Sequence, residues 1–84
     1  MKSLELESSV RALLARLSRR DLAALRRDED LVEHLRLDSL QSLALLAMLE
    51  KRFGTRFPDA RLKDLRTLGA LVEELERQGK EPVT

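Results

Sequence analysis

The stretch Asp38-Ser39-Leu40-Gln41-Ser42-Leu43-Ala44-Leu45-Leu46-Ala47-Met48-Leu49-Glu50-Lys51-Arg52-Phe53-Gly54 reads as one helix whose two ends are both written in the sequence. Asp38 is a good N-cap, and Gln41 three residues later completes a capping box. Gly54 supplies the left-handed residue on which helices commonly stop. The helix expected over 39–53 therefore places the Ser39 hydroxyl in an exposed first turn. Leu46, Leu49 and Phe53, with Leu45 beside them, can face a core, which leaves Leu40, Ala44, Ala47, Met48 and Lys51 nearer solvent. That is more apolar surface than a small core requires.

N-terminal to this helix, Leu6, Val10, Leu13, Leu14 and Leu17 recur at spacings of three and four and predict a first helix over 3–17. Arg11 and Arg16 lie off that stripe and are expected on a basic, solvated face. Between 18 and 37 the periodicity weakens. Asp21-Leu22-Ala23-Ala24-Leu25 has the pattern of a helical turn or two, and Leu22, Leu25, Leu31, Val32 and Leu35 are spaced to pin a long connection to a bundle. C-terminal to Gly54, Pro58-Asp59 breaks the chain and restarts it, with Asp59 as the expected N-cap of a short helix over 59–65. Thr67 is placed to cap a last helix over 67–78 that carries Leu68, Leu71, Val72 and Leu75, with Gly79 as its stop. Residues 1–79 then form a single domain and 80–84 a frayed tail. The fold class is all-α, a four-helix bundle with a long first loop and a short third helix.

Composition removes several function classes. The 84 residues allow one small domain, and twenty of them are Leu while none is Ile, Trp or Tyr. There is no cysteine, which excludes a disulfide scaffold, a thiolate metal site and a thiol of the protein's own. Sixteen basic against fifteen acidic residues leave a formal charge of +1, too balanced to name a nucleic acid or a membrane as partner. Phe53 and Phe57 are the only aromatics, so no stacking platform for bases exists beside the Arg19-Arg20 and Arg26-Arg27 pairs. The N-terminal Glu5 and Glu7 interrupt any secretory signal, and the Leu-rich run over 40–49 is about half the roughly twenty residues a membrane span needs. A cytoplasmic monomer is expected, since sustained heptads for a coiled coil are missing.

The segment Leu35-Arg36-Leu37-Asp38-Ser39-Leu40 and the Leu-rich helix after it resemble the prosthetic-group attachment motif of acyl carrier proteins. The resemblance extends over nearly the whole chain. Leu31-Val32-Glu33-His34-Leu35 precedes the motif, Leu49-Glu50 and Phe53-Gly54-Thr55 close the helix, and Phe57-Pro58-Asp59 and Thr67-Leu68-Gly69 fall where that family opens its last two helices. The resemblance implies that a phosphopantetheinyl transferase moves 4'-phosphopantetheine from coenzyme A to Ser39, and that the arm's thiol carries acyl groups as thioesters. The chain itself would then catalyse nothing. Asp38 would cap the helix and meet the transferase. Leu40, Ala44, Ala47, Met48 and Lys51 would form the docking face for an acyl or aminoacyl ligase, a ketosynthase or a thioesterase. A phosphodiester at Ser39 suits the positive end of a helix, where an anion gains roughly 0.3 to 1 kcal/mol.

Two departures from the family pattern stand out. Arg36 occupies a position where many carriers have Gly, and the helix lacks the row of acids that usually meets basic patches on partner enzymes. Apolar contact should therefore count for more here, which suggests a specialised fatty-acid or polyketide-like pathway. Two alternatives remain: an aminoacyl or peptidyl carrier, and an unmodified interaction module of the same shape. A hydrolase reading would have to draw on His34, Asp38 and Ser39 within one short segment without a nucleophile elbow, and a lone histidine is equally poor support for a metal site. An all-Leu core is less sharply specified than one of mixed shapes, but the sequence favours an arm that swings free over one tucked between helices.

Overall fold

The computed structural model describes residues 2–83 and contains, in chain order, α1 (Lys2–Ser18), α2 (Leu31–Leu35), α3 (Ser39–Phe53), a 3-10 helix (Asp59–Asp64) and α4 (Leu68–Arg77). No strand occurs among the described residues beyond one isolated antiparallel bridge between Asp30 and Thr67. The architecture is the expected all-α bundle.

α1 buries Leu6, Val10, Leu13 and Leu14, the stripe that its spacing demands, and packs on α3 and α4. α4 contributes Leu68, Leu71, Val72 and Leu75, and α3 contributes Leu49 and Phe53. Each such Leu removed from water adds about 1.5 to 3 kcal/mol of hydrophobic stabilisation before ordering costs. The connection between α1 and α3 is part of the same core through Leu22, Leu25, Leu31 and Leu35.

That connection is tied down at both edges. The Arg11 guanidinium donates to the carbonyls of Leu22 (2.6 Å) and Leu25 (2.5 Å), so Arg11 is half-buried and holds the loop instead of lying on a solvated basic face. Near α4, the Leu31 N–H donates to the Arg66 carbonyl (2.7 Å) and the Gly69 N–H to the Arg27 carbonyl (2.9 Å). Gly69 is buried, and a methyl group there would lie 3.2 Å from the Arg27 carbonyl oxygen, closer than packing comfortably allows. Asp30 completes the seam. It caps α2 by accepting the Glu33 N–H, and it accepts the Arg66 Nε–H at 2.7 Å.

Several expectations need correction. The regular turn of the connection is α2 at Leu31–Leu35, not a segment at 21–25, where only non-helical turns occur. The third helix is 3-10 in type, and its cap position is Pro58, with no side-chain cap from Asp59. The tail is docked over 80–83: Lys80 Nζ donates to the Gly54 carbonyl (3.0 Å), and the Ser9 hydroxyl donates to the Val83 carbonyl while accepting the Val83 N–H (2.8 Å). Thr84 lies outside the described residues.

Candidate functional site

Ser39 is the first residue of α3, and its side chain is exposed. Asp38, with extended backbone, caps the helix: its carboxylate accepts the Gln41 N–H at 2.7 Å, while Gln41 Oε1 accepts the Asp38 N–H at 3.0 Å. The Ser42 N–H closes the first helical bond onto the Asp38 carbonyl at 2.9 Å. The N–H groups of Ser39 and Leu40, first in the helix, have no acceptor within it, as for the opening residues of any α-helix. Ser39 thus stands in the first turn of a capped helix, at its positive end and among amides free of intrahelical acceptors, a setting that favours an attached anionic group.

The backbone entering the site is strained at Arg36, which caps α2 with φ 55° and ψ 50°. Its N–H bonds to the Glu33 and Val32 carbonyls, so the left-handed turn terminates α2 and redirects the chain to Asp38. A left-handed turn is the condition under which glycine is favoured, and it accounts physically for the Gly that many carriers place there.

Below Ser39 a groove of about 540 Å³ runs between α3 and the 3-10 helix. Ser39, Ser42 and Leu43 lie along one wall, Leu62 and Lys63 along the other, with Leu46 and Leu49 deeper. The sequence offered little reason to expect such space. Its lining is mainly leucine, with Ser39 and Ser42 among the polar residues that border it.

On the outer side of α3, Leu40 is 78% exposed, Leu43 52% and Met48 45%. Ala44, Ala47 and Lys51 are exposed with them, so the structure gathers the whole expected docking face on one surface next to Ser39. Leu43 and Lys63 were not singled out from the sequence. Leu43 stands one turn beyond Ser39 on the same side of the helix, and that four-residue spacing is the signal that marks it. Glu50, the only acid in α3, is spent elsewhere: its carboxylate is half-buried and accepts the Phe57 N–H at 2.6 Å. His34 sits on α2 with Nδ1 3.9 Å from a Glu29 carboxylate oxygen. Among the described residues no group of three His, Cys, Asp or Glu side chains is arranged to hold a metal, and no helix is long and apolar enough to cross a membrane.

A family model described as "phosphopantetheine attachment site" matches residues 8–75, from within α1 to the body of α4. The chain belongs to the acyl carrier protein family. The acyl carrier protein of an Arthrobacter species is 36% identical over 45 residues, covering 54% of this chain and 56% of that protein. That of Rhodococcus erythropolis is 35% identical over 57 residues, 64% of this chain and 63% of the relative. Polyketide-8 synthase acyl carrier protein 2 of Streptomyces avermitilis is 33% identical over 69 residues, 82% of this chain and 79% of the relative. The matched part thus spans little more than half the length of the first of these carriers. The family's prosthetic group is 4'-phosphopantetheine, bound covalently, and acyl carrier proteins are in general non-catalytic.

Proposed function

We propose that this chain carries acyl intermediates on a 4'-phosphopantetheine attached to the Ser39 hydroxyl, in a specialised fatty-acid or polyketide-like pathway. The observation that carries the reading is the exposed Ser39 at the capped start of α3, above an apolar groove. The residues fit the group. The amides of Ser39 and Leu40 and the helix dipole favour its phosphodiester, and Lys63 adds positive charge along the same groove, whereas Arg66 is already paired with Asp30. When bound, the group supplies a thiol that holds cargo as a thioester. Asp38 fixes the first turn so that the hydroxyl is presented to a phosphopantetheinyl transferase. Leu40, Ala44, Ala47, Met48 and Lys51 serve as the docking face for acyl-handling enzymes such as ligases, ketosynthases or thioesterases. The same reading places the chain in the cytoplasm as a monomer.

An acyl cargo is favoured over an aminoacyl or peptidyl one by the apolar groove, and the polyketide-like assignment by the Streptomyces relative's length of match. The groove also favours a cargo that retreats from solvent over an arm that always swings free. The test is intact-protein mass after incubation with coenzyme A, Mg²⁺ and a broad-specificity transferase. One phosphopantetheine added to the wild type and none to Ser39→Ala is the expected result. No addition to the folded wild type, with a known carrier modified in parallel, would shift the reading to an unmodified interaction module.

A further inference from the structure

The charge around the docking face of α3 is inverted relative to an acid-lined carrier helix. At 100° per residue, Leu40, Ala47, Ala44 and Lys51 project directly away from buried Leu49 and Phe53, with Leu43 on one flank and Met48 on the other. Lys63 lines the groove on the Leu43 flank, and Arg20 lines a second groove of about 380 Å³ on the Met48 flank. Arg20, Lys51 and Lys63 are exposed, and none has a carboxylate within ion-pair distance among the described residues. Within α3 and its cap, the two carboxylates each accept a backbone N–H, Asp38 from Gln41 and Glu50 from Phe57, and neither forms an ion pair with a cation of the strip.

We propose that the enzyme seated on this face presents an apolar recess rimmed by carboxylates. The proposal rests on the carrier reading and adds the partner's chemistry to it. Complementary charge selects the partner and steers its approach, whereas a basic docking patch meets three cations that have no ion-pair partner among the described residues. A second copy of the chain would bring like rims together. An anionic membrane is a poorer match, because the strip has no aromatic anchor and two of its positions are alanines.

The test uses the unmodified ¹⁵N-labelled chain, so it does not depend on Ser39 loading. It is titrated with a fatty-acid malonyl transferase whose carrier-docking patch is basic, and with the same enzyme after Glu replaces the basic residues of that patch. The carboxylate-patch enzyme should bind about tenfold more tightly, shift the amides of Leu40, Leu43 and Met48, and lose its advantage as salt rises. The preference should reverse for the Arg20→Glu/Lys51→Glu/Lys63→Glu variant, with Lys51→Glu alone as a milder version should the triple change unfold the chain. Equal affinity for the two enzymes, binding to neither, or shifts confined to other helices would overturn the proposal. So would concentration-dependent shifts of the same amides without enzyme, or co-flotation with phosphatidylserine vesicles in place of enzyme binding. Failure of the carrier reading is registered separately by the mass measurement.

Discussion

On one side of the groove beneath Ser39 stands α3, fifteen residues long, capped at both ends and anchored by buried Leu49 and Phe53. On the other lies the 3-10 helix Asp59–Asp64, six residues with no side-chain cap and no buried residue. The second wall is held by half-buried Leu62 and by Arg61, whose guanidinium is 3.8 Å from the buried Glu74 carboxylate. Local stability follows buried contacts, so the two walls should yield at different free energies. The serine stands on the better-anchored of the two walls.

The largest effect is expected from truncating the rigid wall. Leu49→Ala should cost about 2 to 5 kcal/mol in denaturant unfolding, against about 1 kcal/mol for Leu62→Ala. Equal costs would break the contrast between the walls. Asp38→Ala removes the capping box and should cost about 1 kcal/mol, with faster hydrogen exchange confined to the first turn of α3. At Arg36 the change to Gly relieves a left-handed strain of about 1 to 2 kcal/mol and adds about 0.5 to 1 kcal/mol of chain entropy to lose, a net gain of roughly 0.5 kcal/mol. A measurable rise in melting temperature for Arg36→Gly checks it.

The seam at Asp30 should make the smallest, pH-dependent contribution. The Arg66 hydrogen bond, chief among the causes, holds the Asp30 carboxyl below its ordinary value. Its stabilisation is therefore present above the unfolded carboxyl pKa of about 3.9 and is lost as pH falls through the lower folded value. Asp30→Asn, which can still cap α2, should reduce the loss of urea resistance between about pH 5 and about pH 3. An unchanged acid limb in that variant would show that the seam holds without the ion pair.

How much of this was legible in the sequence depended on whether the cause was local. α3 came out with both ends correct because Asp38, Gln41 and Gly54 act within one turn of where they stand. α2 did not, since five residues are too few for periodicity and its cap, Asp30, sits in a run of charges; the spacing from Asp30 to Glu33 was the available signal. Arg11 reads as a solvated charge until the fold brings the Leu22 and Leu25 carbonyls to it. The docking of Val83 on Ser9 joins positions too distant in sequence for any local pattern to reveal. At the site, the Asp38 cap, the exposed first-turn position of Ser39 and the outward apolar face were legible as helix chemistry, whereas the role of Ser39 as an attachment point was legible only through the family resemblance. The groove was not, because it depends on how far the 3-10 helix stands from α3.

Attachment at Ser39 is open to a direct test with trypsin, which releases residues 37–51 by cleaving after Arg36 and Lys51, a peptide with two hydroxyls in the first turn of α3. Fragment mass spectra of that peptide from the transferase-treated chain should place the phosphopantetheine on exposed Ser39 and leave half-buried Ser42 bare. A modified Ser42, or an unmodified peptide from a chain that gained the mass elsewhere, would contradict the account.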